Sequence, residues 1–95
     1  ILAMLPPGMK ESNAGIYPGY FLSPGMENED VRNLQTYLKG IADYSGVIPP
    51  IAVTGVFDEA TRDAVAALQA QNDLPPTGNV GPATWNLIRR LYNAR

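Results

Sequence analysis

The chain has no cysteine and no histidine. Together these absences remove disulfides, thiolate chemistry, imidazole acid–base catalysis and the usual zinc ligands. Redox logic therefore does not fix a compartment. Charge is also scarce: Asp, Glu, Lys and Arg make up 17% of the residues and leave a net charge of −2. Such a chain has no general attraction for nucleic-acid phosphates or for anionic membranes. No apolar run reaches the roughly 18 to 20 residues of a membrane-spanning helix. Ile1-Leu2-Ala3-Met4-Leu5 is too short for a signal peptide and lacks its basic flank. A chain that starts in this way is expected to be a piece of a longer protein, with neighbouring domains as partners.

What is present is ordinary for a globular domain. Hydrophobic residues make up 45% of 95 residues, enough for one core that buries roughly 60 to 65% of the unfolded surface. The most informative stretch says nearly the same thing twice. Thr54-Gly55-Val56-Phe57-Asp58-Glu59-Ala60-Thr61 aligns without a gap on Thr77-Gly78-Asn79-Val80-Gly81-Pro82-Ala83-Thr84, at a constant offset of 23 residues. Each copy reads as a glycine turn followed by a helix start. Gly55 and Gly78 permit a positive φ, and the apolar residue two places on turns into the core. Asp58 is a good N-cap with Thr61 at N3. At the second copy Gly81 caps, and Pro82 takes N1, where its missing N–H costs little.

Around these turns the periodicity predicts three helices. The first spans about Asn28 to Ala42, with Asn28 as cap, Glu29 and Asp30 in the first turn and Gly40 near its close. Its apolar stripe is Val31, Leu34, Leu38 and Ile41, flanked by Gln35 and Tyr37. The second spans about Glu59 to Gln71, with Ala60, Ala64, Val65 and Leu68 inward; Asn72 and Asp73 supply a left-handed end, and Leu74 folds back on the last turn. The third spans about Pro82 to Tyr92 and presents Trp85, Ile88, Leu91 and Tyr92. Asp43 to Ile51 is read as a loop, since Pro49-Pro50 rules out helix. Residues 1–25 hold four prolines and four glycines and read as an irregular arm or linker. Within it, Tyr17 to Leu22 is expected to lie against the domain, and residues 1–12 to be loosely held. The predicted architecture is an all-α three-helix bundle over residues 26–95, with two similar turn-helix units.

The inventory for catalysis is poor. Ser12, Ser23 and Ser45 have no histidine to activate them. The carboxylate pairs Glu29/Asp30 and Asp58/Glu59 fall at helix starts, where capping explains them. No phosphate loop, calcium loop or metal-ligand spacing occurs, so neither a cofactor nor a metal is expected. Trp85 sits in a helical stripe, which favours core packing over an exposed indole edge. Tyr44 could stack on a ligand from its loop. Arg62 could pair with Asp58 at i,i+4, the favoured reading, or with a ligand carboxylate.

Val31-x-x-Leu34-Gln35, then Gly55-x-Phe57-x-x-x-Thr61-x-x-Ala64-Val65-x-x-Leu68-Gln69, then Gly78-x-Val80-Gly81-Pro82-x-Thr84-Trp85 resembles the peptidoglycan-binding domain family found beside bacterial cell-wall hydrolases. The resemblance covers about residues 26–92. Asp58 stands where members commonly have glycine, Thr54 and Thr77 where aspartate is frequent, and Asp73 where glycine usually ends the helix. The resemblance implies a non-catalytic three-helix module, extracellular and wall-associated, that binds the glycan and stem peptide of peptidoglycan and so targets an attached domain. The expected contact surface is Asp43, Tyr44, Ser45, Asp58 and Arg62, with Asn79 added. The competing reading is a protein-interaction or spacer module in a tandem array. A DNA reader would draw on Arg89, Arg90 and Arg95 alone, at the end of a helix from which bases are seldom read, so no nucleic-acid partner is expected.

Overall fold

The structure, a computed structural model, describes residues 17–94. The expectations for residues 1–12 and for Arg95 lie outside them. Among the described residues there are three helices and no strand: α1 Glu29–Ser45, α2 Glu59–Gln71 and α3 Pro82–Asn93. The bundle is the one the periodicity predicts. None of its helices is long and apolar enough to cross a membrane.

Helix α1 starts where its cap places it, with Asn28 Oδ1 accepting the Val31 amide at 2.9 Å. It ends three residues later than predicted. Gly46, at φ 70°, supplies the left-handed residue and donates to the Ala42 carbonyl, while Gly40 lies within the helix. The reason is burial: Ile41 and Ala42 belong to the core, and continuing the helix through Ser45 keeps both inward. Asp43, Tyr44 and Ser45 are therefore the last helical turn and not a loop. Helix α2 keeps its predicted bounds. Asp73, at φ 63°, reverses the chain so that the Leu74 amide reaches the Gln69 carbonyl at 2.9 Å, the Schellman closure expected from Asn72-Asp73.

Each glycine turn is latched by a buried glutamine from the preceding helix. Gln35 of α1 accepts the Thr54 and Gly55 amides at 2.9 and 2.8 Å and donates to the Val56 carbonyl at 2.8 Å and the Thr61 hydroxyl at 3.0 Å. Gln69 of α2 repeats the pattern, accepting the Gly78 amide at 2.9 Å and donating to the Asn79 carbonyl at 3.0 Å and the Thr84 hydroxyl at 2.9 Å. The turns themselves need glycine. Gly55 and Gly78 have φ of 88° and 82°, and a Cβ at Gly78 would come within 2.5 Å of Arg62 Cγ. Phe57 and Val80, two residues beyond each glycine, are buried as predicted.

These units share α2, whose first turn closes one corner and whose last turn latches the other. The arm before α1 ties both corners together. Leu22 is fully buried and exchanges backbone hydrogen bonds with Val80 at 3.0 and 2.8 Å. Four residues on, the Met26 carbonyl accepts the Phe57 amide at 2.8 Å. Tyr20 fastens the outside of the arm, its hydroxyl donating to Asp30 Oδ2 at 2.5 Å and accepting Asn28 Nδ2 at 3.2 Å. Tyr17 meets Trp85 edge-on, with ring centroids 6.3 Å apart. The Tyr17–Leu22 stretch thus packs on the domain, and Trp85 is a core residue.

Candidate functional site

Two grooves open on this frame, both beside the C-terminal end of α2. The first, about 300 Å³, lies where the C-terminal ends of the three helices converge. Ile41, Tyr44, Val47, Leu68 and Leu91 form its apolar wall, and Ser45, Gln71 and Asn72 add polar atoms. Tyr44 is 69% exposed and Val47 46%. Both hold apolar surface open to solvent at the mouth of this groove. The polar atoms are partly committed. Ser45 Oγ donates to the Ile41 carbonyl at 2.8 Å, Gln71 Nε2 to the Val47 carbonyl at 3.0 Å and Asn72 Nδ2 to the Leu68 carbonyl at 2.8 Å. The side-chain oxygens of Gln71 and Asn72 have no protein partner among the described residues. They can accept hydrogen bonds from a ligand.

The second groove, about 200 Å³, lies beside the second corner and is lined by Phe21, Leu74, Pro75, Asn79, Pro82 and Thr84, among others. Phe21 is 62% exposed, and its ring lies where a Cβ on Gly81 would be, 2.6 Å away.

The six residues expected from sequence do not form one surface. Tyr44 and Ser45 line the first groove and Asn79 the second. Asp43 is exposed at the end of α1 and pairs with Lys39 Nζ at 2.8 Å. Asp58 stands at the opposite end of α2 from Gln71, about 20 Å away along the helix. Its Oδ1 accepts the Thr61 amide at 2.9 Å and hydroxyl at 2.7 Å. Arg62 does not pair with Asp58; it lays its stem over Gly78 and reaches Asp63 Oδ1 at 2.6 Å. Val47, Gln71, Asn72 and Phe21 were not anticipated as site residues. Only Phe21 carried a sequence signal, as a large ring among turn formers.

The bonds to Asp58 have a measurable sign. The Thr61 hydroxyl and then the Thr61 amide hold its carboxyl below the ordinary value of 3.8. A lowered folded-state value means that the stabilisation is present above the unfolded value and is lost as pH falls through the folded one. Asp58→Ala is expected to cost about 1 kcal/mol at neutral pH, measured by urea unfolding. The gap between it and the parent should close below about pH 4. A gap that persists at acid pH would refute the carboxylate's role as cap.

The structure thus combines a helical frame with latched corners and two solvent-open grooves. The chain belongs to the peptidoglycan binding domain family, whose sequence profile matches residues 27–88. It is also 40% identical over 72 residues to the zinc D-Ala-D-Ala carboxypeptidase of Streptomyces albus G. That match takes in 76% of this chain but 27% of the carboxypeptidase, so the chain spans about a quarter of that relative's length.

Proposed function

We propose that this domain is a non-catalytic wall-binding module. It holds the glycan and stem peptide of peptidoglycan in the groove formed by the C-terminal ends of the three helices, and it works outside the cell beside a domain whose activity it concentrates on the polymer. The observation that carries this reading is Tyr44, held 69% exposed beside Val47 over an apolar groove. An exposed ring face suits the C–H surfaces of a sugar, and the Gln71 and Asn72 side-chain oxygens suit amide and hydroxyl donors. Weak binding suffices, because an attached domain gains by effective concentration. Asp43, Asp58 and Arg62, engaged with Lys39, Thr61 and Asp63, support the frame in this reading.

Co-sedimentation with purified sacculi tests it. The parent chain should be retained, and Tyr44→Ala should weaken retention about tenfold, the effect of losing one good contact residue. Because Tyr44 is exposed, its replacement should leave the unfolding midpoint in place. Equal retention of the variant would remove Tyr44 and the groove from the reading, and failure of the parent to bind would remove the function. In that second case the tandem spacer becomes the better account.

A further inference from the structure

The first groove carries no charge of its own and lies where negative charge is unwelcome. None of its lining residues is acidic or basic. The C-terminal ends of all three helices meet there, each bringing the negative end of its dipole. Neither α1 nor α2 has a basic residue in its last turn, and α3 has Arg90 alone. Of the carboxylates nearby, Asp43 is matched by Lys39, while Asp73 stands exposed directly after Asn72. An anion gains nothing from such a setting. The polar groups that remain are neutral and already held in place. Gln71 and Asn72 are fastened through their amide nitrogens to the Val47 and Leu68 carbonyls at 3.0 and 2.8 Å. That leaves the side-chain oxygen and the second N–H of each for a ligand. Ser45 has less to give, since its hydroxyl donates to Ile41 and accepts the Val47 amide at 3.4 Å.

We propose that this groove selects the uncharged acetamido group of a single amino sugar and rejects the carboxylates of a peptide. An acetamido group has one N–H, one C=O and one methyl, and the groove has a counterpart for each. One of the two side-chain amides accepts the N–H and the other donates to the C=O. Ile41, Leu68 and Leu91 give the methyl an apolar wall. The exposed Tyr44 ring, negative on its face, takes the C–H surface of the sugar. The space fits a short ligand: at about 300 Å³ it stands at the lower end of the range of small-molecule sites, about 300 to 1,000 Å³. A peptide carboxylate would find no cation in the lining and would face the ends of three helices. That the sugar comes from the wall rests on the wall-binding reading above, which this inference narrows: the glycan enters the groove, and the stem peptide adds only its uncharged groups.

The test is an NMR titration of the 95-residue chain with three probes: the β-1,4-linked trimer of N-acetylglucosamine, the matching trimer of glucose, and N-acetyl-alanyl-alanine as a peptide carboxylate. The acetamido trimer should shift the Ser45 and Val47 amides and the Gln71 and Asn72 side-chain amides saturably. The glucose trimer, which lacks only the acetamido groups, should bind about tenfold more weakly, the effect of one good contact. The peptide acid should leave these resonances in place. Gln71→Lys exchanges the neutral acceptor for a cation at an exposed position and can still donate to the Val47 carbonyl. It should weaken the acetamido trimer and let the peptide acid bind. Equal binding of the two trimers, binding of the peptide acid by the parent as strong as that of the acetamido trimer, or shifts confined to residues outside the groove would overturn the inference. The comparison of probes on the parent decides even if the variant does not fold. Retention on sacculi without shifts from the acetamido trimer would remove this inference and leave the wall-binding reading in place. Saturable shifts without retention would do the reverse.

Discussion

Replacing Gln35 by leucine should cost the domain about 3 to 5 kcal/mol, although the side chains are similar in size and the site is wholly buried. Leucine would fill the space and make none of the bonds. The Gly55 amide, the Val56 carbonyl and the Thr61 hydroxyl would each lose a partner, at about 1 to 3 kcal/mol for each buried group left unsatisfied. A domain of this length has only roughly 5 to 14 kcal/mol in all, so the urea midpoint should fall steeply. Gln35→Glu separates the two halves of the side chain. It keeps an acceptor for the Thr54 and Gly55 amides but sets a carboxylate against the Val56 carbonyl that Nε2 now bonds, so it should be nearly as damaging at neutral pH and recover partly when protonated. If Gln35→Leu stays within about 1 kcal/mol of the parent, as an ordinary surface change would, the latch is decorative.

The second large effect is expected at Trp85. Its indole is buried at the meeting point of the arm, α1 and α3, with Tyr37 edge-on at 5.8 Å and Tyr17 at 6.3 Å. Tyr37 continues the cluster to Tyr92 at 4.9 Å, and the Arg89 guanidinium lies 5.4 Å from the Tyr37 ring centre. Trp85→Ala leaves a cavity that these flat rings cannot close, and about 3 to 5 kcal/mol is the usual cost. Lost edge contacts add about 0.5 to 1.5 kcal/mol for each aromatic pair. The variant should unfold at far lower urea when followed by far-ultraviolet circular dichroism, and the arm should become open to proteolysis because Tyr17 has lost its anchor. Trp85→Phe, which keeps a ring for Tyr37, should cost clearly less. Equal losses for the two variants would mean that the cluster geometry contributes little.

What could be read from the sequence follows from how local each signal is. The glycine turns, the Asp58 and Asn28 caps, Gly81-Pro82 and the Asp73 reversal all act within three or four residues, and each stands where it was expected. The end of α1 was misjudged because Gly40 and Gly46 are equally able to stop a helix in isolation. What selects Gly46 is the burial of Ile41 and Ala42, a property of the folded core. Arg62 was misassigned for a similar reason: its spacing from Asp58 is right for a pair, but in the fold its stem lies over Gly78, a residue 16 positions on, and its guanidinium meets Asp63. Gln35 was read as flanking a stripe because its partners lie 19 to 26 positions on. A signal was nonetheless present, in Val-x-x-Leu-Gln recurring before each Thr-Gly turn. The first groove had no such signature, being made from the ends of three helices distant in the chain.

The arm's double attachment bears on how the molecule is made. Leu22 leaves the ribosome well before the Val80 backbone that completes its pairing, and contacts so distant in sequence form slowly. Until then Leu22 lacks the cover that it has in the finished fold. The nascent domain is therefore expected to stay open through most of its synthesis and to close in a single late step, when the second corner arrives to receive the strap.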